Sequence, residues 1–298
     1  MTAFWEPDSR IRRIDEVLSS RRLHNLQSFK ELQNDVFSHH AKDLTEIIIP
    51  VLSASSDTLI QIALPYLQNW DFNYTESATA ASLMDGFFLK FVENVFKPHL
   101  GETVFNSFTQ LENFPIRVTT KLIREPSIWM RTIEGDFTFR DSLIVESMRS
   151  TVNELYQEFG ANTTEWRWEN RHTLTLSPPL FSQAAKEPES SEALKLIVNN
   201  VLSKGPYPVG GHSMTVNNTQ YDWHDPYGQV LGASIRRIID LSNLSKSESV
   251  IPTGQSGNPL SDHFGDQTEL WLSGKYRIFE HNNTVSEQVR FRTMELNP

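Results

Sequence analysis

The chain reads as an α+β protein with a helical first half and a strand- and loop-rich second half. Three observations carry that expectation. Apolar residues recur at helical spacing up to Gly160, short alternating stretches replace them after Trp166, and Gly, Pro, Ser and Asn crowd together between Thr253 and Asp262. Residues 1–298 are expected to form a single region, mainly helical over 1–160 and strand-rich over 161–298.

Pro7, followed by Arg10, Ile11, Ile14, Val17 and Leu18, predicts a short amphipathic helix with the proline in its first turn, where a missing N–H costs nothing. Ser28 and Glu31 have capping-box spacing. Phe29, Leu32, Val36, Leu44 and Ile48 then line one apolar face, predicting a helix that ends at Pro50. A helical segment over 59–67 is expected to kink at Pro65. Thr75 is the expected cap of a strongly apolar helix through Leu83, Phe87, Phe91 and Val95 that stops near Pro98. The last long helix starts at about Asp141, carries Leu143, Val152, Leu155 and Phe159, and meets Gly160 in the C′ position.

Beyond Trp166, strands are expected around Leu174 and over 215–217, 229–239 and 289–294, with one helix over 191–202 before Gly205. Residues 253–262 read as an irregular polar loop and 184–191 as a mobile surface linker.

With 298 residues, 38% of them hydrophobic, the chain can bury a sizeable core. Its formal net charge is −10, and its 27 Lys and Arg are dispersed, so the basic stripe that nucleic acid requires is absent and an anionic membrane is disfavoured. No apolar run approaches the roughly 20 residues of a spanning helix. Phe4 and Trp5 are followed at once by Glu6 and Asp8, which leaves no signal-peptide core. Neither nucleic acid nor membrane is an expected partner. The lack of cysteine excludes disulfides, thiolate catalysis and a Cys-ligated metal, but it fits exported and cytosolic proteins alike.

Several constellations invite chemistry. Ser256, His263 and Asp266 have the residue types of a hydrolytic triad. A nucleophile elbow needs G-x-S-x-G at a strand-to-helix turn, however, and Asn258 and Pro259 follow here, so a loop held by its own Ser, Asn and Asp side chains is expected. Asp222, His224 and Asp225 have metal-ligating chemistry without regular zinc or calcium spacing, and a turn with Asx bonds is expected. Adjacent helical residues point about 100° apart, so His39 and His40 are not expected to chelate one ion. Thr2 would become an N-terminal nucleophile only on removal of Met1 and is not expected to act as one. No catalytic or metal-binding residue is assigned.

The run Gly254-Gln255-Ser256-Gly257-Asn258-Pro259, with Ser261, His263, Asp266, Gln267, Trp271 and Gly274, resembles the carboxy-terminal signature of the penicillin acylase (penicillin amidase) family of N-terminal nucleophile hydrolases. The resemblance is collinear along the chain. Trp5 with Arg10, Ile14, Asp15 and Leu18 is similar to a family segment that follows the catalytic asparagine. Phe29 to Asp35, Leu67 to Asp71, Trp166-Arg167-Trp168 with His172, Gly210-Gly211 with Thr215-Val216-Asn217, and Ser234-Ile235-Arg236 with Asp240 resemble further motifs in order. Three positions depart: Phe72 and Glu169 stand where the family usually has glycine, and His212 where it usually has aspartate.

The resemblance implies the carboxy-terminal portion of an α-β-β-α sandwich. It implies hydrolysis of non-peptide carbon–nitrogen bonds, such as the side-chain amide of β-lactam antibiotics, with acyl-homoserine lactones as the alternative substrate. In the family a chain-terminal serine attacks the amide, its α-amino group serves as base, and an asparagine with backbone N–H groups stabilises the oxyanion. Those groups, and most calcium ligands of members that bind calcium, are expected upstream, so no cofactor is expected within this chain. The expected partners are an upstream acylase portion, namely an α chain and the nucleophile-bearing part of a β chain, and a small-molecule amide. Alone, the chain is expected to be inactive; a complementing subunit or a degenerate remnant is the alternative. Only Arg10 matches a residue that the family places beside the active site, which implies a substrate-binding role against the ordinary one of a solvated arginine at a helix start. Complete members are often periplasmic or secreted, and the location of this chain is left open.

Overall fold

Helices fill the first half of the chain in the order α1 (Ser9–Ser19), α2 (Leu26–Gln33), α3 (His39–Ser53), α4 (Thr58–Gln68), α5 (Thr79–Thr109), α6 (Asn113–Leu122) and α7 (Thr138–Phe159). The short helices α8 (Trp168–Arg171), α9 (Glu192–Ile197) and α10 (Thr268–Leu272) lie among the strands. The computed structural model describes residues 6–110, 113–125, 127–130, 136–178 and 190–278. The expected strand over 289–294, most of the expected linker, and Thr2 and Trp5 lie outside the described residues.

The chain divides into two compact units, one holding Leu32–Ala233 with the residues up to Leu23, the other His24–Glu31 with the residues from Ser234 onward. The core of the first unit is helical. Ala41, Leu44, Ile48 and Leu52 of α3, Ile60, Ala63 and Leu67 of α4, Leu83, Phe87, Phe91 and Val95 of α5, and Ile144, Met148, Val152 and Leu155 of α7 are all buried in one cluster. Trp166 and Trp168 close it, each 0% exposed, with their indole N–H groups donating to the Gly160 and Gly211 carbonyls at 3.0 Å. A four-stranded sheet completes this unit. Its strands are β1 (Thr173–Leu176), β2 (Lys204–Pro208), β3 (Thr219–Asp222) and β4 (Asp225–Gly232), in the order β2-β1-β4-β3, with β1 and β4 parallel and the outer pairs antiparallel. The second unit holds an antiparallel sheet of β5 (Arg236–Ile238), β6 (Glu248–Val250) and β7 (Arg277–Ile278).

Several local expectations give way to local chemistry. Periodicity joined Phe29 to Ile48, yet the helix breaks at residues 34–38. There Asp35 Oδ1 accepts the Phe37 N–H (3.0 Å), and Ser38 Oγ caps α3 by accepting from Ala41 N (3.1 Å), so two short polar side chains compete for backbone groups. Ser28 and Asn25 cap α2 reciprocally, each side chain accepting the other's N–H at 3.0 and 2.9 Å, and Glu31 takes no part in this box. Pro50 and Pro98 sit inside α3 and α5 instead of ending them. The apolar faces hold both helices together, and α5 turns instead at Gly101, whose φ of 70° a glycine adopts freely. Thr75 is not a cap, since α5 starts after Ala78. Residues 215–217 form a turn, not a strand, and the run 229–239 splits at Gly232 between the two sheets. Helix α7, which starts at Thr138, three residues before the expected Asp141, ends as expected at Gly160, with φ 76° and its N–H donating to Tyr156 O at 2.9 Å.

Candidate functional site

Arg10 lies in the first turn of α1, and what holds that helix decides where its guanidinium goes. Ser9 is 2% exposed and donates its hydroxyl to Met214 O at 2.8 Å. Arg13 forks onto Asp35, with Nη2–Oδ2 at 2.8 Å and Nε–Oδ1 at 3.1 Å, and packs over the Phe37 ring at 4.6 Å. Arg12 donates to Asp43 Oδ2 at 2.8 Å, and Arg124 reaches the same oxygen at 3.3 Å. Burial works against ionisation of Asp43, yet the two guanidinium groups hold its carboxyl below the usual range. With Ser9, Arg12 and Arg13 turned to the protein, Arg10 is left half-buried and ion-paired to Glu6 one turn earlier.

The Gly210-Gly211 turn faces this helix start from the sequence-distant end of the unit. Gly211 donates its N–H to Tyr74 O at 2.7 Å and has φ 95°; a side chain there would strike Asn217 O at 2.6 Å. Thr215 closes the turn by accepting the His212 N–H (2.9 Å). His212 stacks on Tyr74 with centroids 4.9 Å apart and places Nε2 2.9 Å from Asp85 Oδ1. Asp85 was not singled out from the sequence, although it is the one charged residue over 79–89, on the buried face of a strongly apolar helix. That isolation is the signal that could have found it.

In the second unit, the GQSGNP loop borders a cleft of about 720 Å³ that also touches Arg237, Ser249 and Arg277. Ser256, His263 and Asp266 all line it, but they do not form a triad. His263 Nδ1 is 3.1 Å from Asp266 Oδ2, while Ser256 Oγ accepts the Asn258 N–H at 3.1 Å and makes no hydrogen bond to the His263 ring. The loop is held by its own groups: Asn258 Oδ1 accepts from Leu260 N, Ser261 Oγ from His263 N, and His263 O from Ser256 N. Gly254 packs so closely on His263 that a Cβ there would lie 1.9 Å from the His263 carbonyl oxygen.

The remaining expected groups stay apart. His39 Nε2 faces Glu16 at 3.0 Å, whereas His40 Nε2 faces Thr120 Oγ1 at 2.8 Å. Asp222 Oδ1 accepts the His224 N–H at 2.8 Å, the Asx turn expected from the sequence. Among the described residues no three His, Asp or Glu side chains converge as a metal site, and no helix is long and apolar enough to cross a membrane.

The description of the penicillin amidase family matches residues 1–286. The chain belongs to the penicillin amidase family. Two curated relatives, both acyl-homoserine lactone acylases QuiP, are 24% identical over 92% of this chain (Pseudomonas aeruginosa) and 21% identical over 93% of it (Pseudomonas putida). These alignments cover 35% and 34% of the relatives, so the chain spans about a third of their length. A thermostable penicillin G acylase from Alcaligenes faecalis superposes over all of this chain and 54% of its own, with a TM-score of 0.62 and 14% identity. At that identity the likeness shows the fold alone, and it accords with the α+β expectation.

Proposed function

We propose that this chain is the carboxy-terminal part of a penicillin-amidase-family acylase that hydrolyses acyl amides of small molecules, with acyl-homoserine lactones as the favoured class. The observation that carries the reading is the collinear family match over 1–286. The substrate class rests on the relatives' names, and the side-chain amide of a β-lactam is the second reading because of the penicillin G acylase likeness. In this reading the serine nucleophile, its amine and the oxyanion asparagine come from an upstream acylase portion. Exposed apolar residues support such a partner: Leu196 and Val201 are 62% and 58% exposed, and Val230 and Leu231 of β4 are 59% and 52% exposed.

Arg10 is the residue of this chain assigned to the active site. A guanidinium on a well-anchored helix start offers a rigid, planar donor fork to a carbonyl or amide oxygen at low cost in ordering.

The test is hydrolysis of acyl-homoserine lactones and of penicillin G by the purified chain, alone and assembled with the upstream portion of the Pseudomonas aeruginosa acylase. The chain alone is expected to be inert, and the assembly to favour the lactones. Turnover by the chain alone that disappears in Ser256→Ala would replace this reading with an independent serine hydrolase. In the assembly, Arg10→Lys keeps the charge but loses the fork and is expected to lower kcat/KM by roughly tenfold or more.

A further inference from the structure

Five residues of the larger unit form one hydrogen-bonded chain that passes through Ser9, next to Arg10. The His40 N–H donates to Ser9 Oγ at 3.1 Å, and the Ser9 hydroxyl donates to Met214 O at 2.8 Å. The Met214 N–H donates to His212 Nδ1 at 3.2 Å, and His212 Nε2 meets Asp85 Oδ1 at 2.9 Å. A backbone N–H aimed at Nδ1 needs a lone pair there, so the ring carries its proton on Nε2 and donates it to the carboxylate. Asp85, Ser9 and Met214 are each 2% exposed and His212 5%, so bulk water cannot stand in for a lost link.

The chain also accounts for the histidine at position 212. The family's usual aspartate there would set a second carboxylate against Asp85 in a buried place. It would also offer no proton to Asp85 Oδ1. The imidazole serves both sides, as donor toward α5 and acceptor toward the turn.

We infer that this relay fixes the first turn of α1, and with it the Arg10 guanidinium, which makes Ser9, His212 and Asp85 positioning residues of the acylase site. The inference rests on the reading of Arg10 as an active-site residue. Its three anchors come from elements far apart in sequence: α5, the turn after Gly211, and the start of α3. None of them touches a reacting group in this assignment; they act through the helix.

Amide hydrogen exchange on the purified chain tests the relay without any activity. The Arg12 N–H, bonded to Asp8 O at 2.9 Å, reports the first turn of α1. Loss of one buried link in Ser9→Ala is expected to speed its exchange roughly fivefold to tenfold, with amides of α7 unchanged. Ser9→Thr keeps the hydroxyl and is expected to restore protection. His212→Gln keeps a donor for Asp85 but places no acceptor where Nδ1 meets the Met214 N–H, and it is expected to behave like Ser9→Ala. Unchanged Arg12 exchange in both Ser9→Ala and His212→Gln would overturn the inference.

In the assembled acylase, Ser9→Ala is expected to lower turnover, and Arg10→Ala is expected to cost less on that background than alone. If Arg10→Ala slows turnover and Ser9→Ala does not, the relay is overturned while the role of Arg10 stands. If Arg10→Ala has no effect, Arg10 leaves the active site and the positioning role falls with it, and accelerated Arg12 exchange then marks the relay as an anchor only.

Discussion

Phe72 has a φ of 63°, a left-handed conformation that costs a residue with a Cβ roughly 1–2 kcal/mol. It is one of the positions where the family usually has glycine, and the backbone here keeps the glycine conformation while the side chain has changed. The ring is not idle, since it meets Phe37 and Trp70 at centroid distances of 6.2 and 5.6 Å. Phe72→Gly and Phe72→Ala both delete those contacts, so their difference isolates the backbone. Chemical denaturation is expected to find the glycine variant more stable than the alanine variant by about 1 kcal/mol, the reverse of the usual order. Glu169, the second such departure, has no positive φ; it lies in α8 and donates its N–H to Glu76 O at 2.8 Å, so glycine is not required there. In the GQSGNP loop the two glycines differ sharply. A Cβ at Gly254 would meet His263 O at 1.9 Å, whereas at Gly257 nothing lies within 4 Å. Gly254→Ala is therefore expected to destabilise the smaller unit by roughly 1–3 kcal/mol, and Gly257→Ala to stay within about 0.5 kcal/mol by the same denaturation measurement.

Among the elements, α1 owes its place to side chains that periodicity does not rank. Its apolar stripe was legible, but the pins are Ser9, Arg12 and Arg13, whose partners Met214, Asp43 and Asp35 no local pattern names. Asp35→Asn removes the charge from the Arg13 fork and is expected to cost about 1–2 kcal/mol in thermal or chemical unfolding, more than the loss of an exposed pair such as Lys195–Glu192. The long helices α4, α5 and α7 were readable because their buried faces repeat at helical spacing. The strands β2, β3 and β6 were not, being three to five residues long and punctuated by Gly205, Pro206 and Pro208 or by polar residues. The break between α2 and α3 was missed because apolar spacing carried on across Asp35 and Ser38, whose hydrogen bonds, not their hydropathy, stop the helix. At the candidate site, Arg10 and the GQSGNP loop came from motif resemblance. Asp85 and Ser9 had no motif, and only folding brings them to His212 and Met214.

At the scale of the molecule, two buried histidines set the response to acid. Burial pushes His40 from 6.5 down to about 3 and His172 from 6.5 down to about 4, so both stay neutral in the folded chain. Between pH 6.5 and about 4 the unfolded chain binds protons that the folded chain refuses, so stability falls as pH falls through that window. The slope should reach about 1.4 kcal/mol per pH unit for each histidine. Urea titrations at several pH values should show the slope reduced by one proton in His172→Asn. The two units should also differ in resistance to opening. Among the described residues, the large apolar cluster belongs wholly to the first, while the second buries no hydrophobic side chain beyond Ile238, Val250 and Trp271. Hydrogen exchange by mass spectrometry is expected to show peptides of β5, β6 and α10 opening at lower free energy than those of α5 and α7. One contact has a kinetic meaning as well. Ser9 and Met214 are 205 residues apart, so a ribosome must have released most of the larger unit before α1 can find its socket. Closing so long a loop is an entropic expense that a single hydroxyl does not recover early, which places this contact after the rate-limiting step. In stopped-flow experiments Ser9→Ala should then leave the refolding arm of the chevron where it is and lift the unfolding arm.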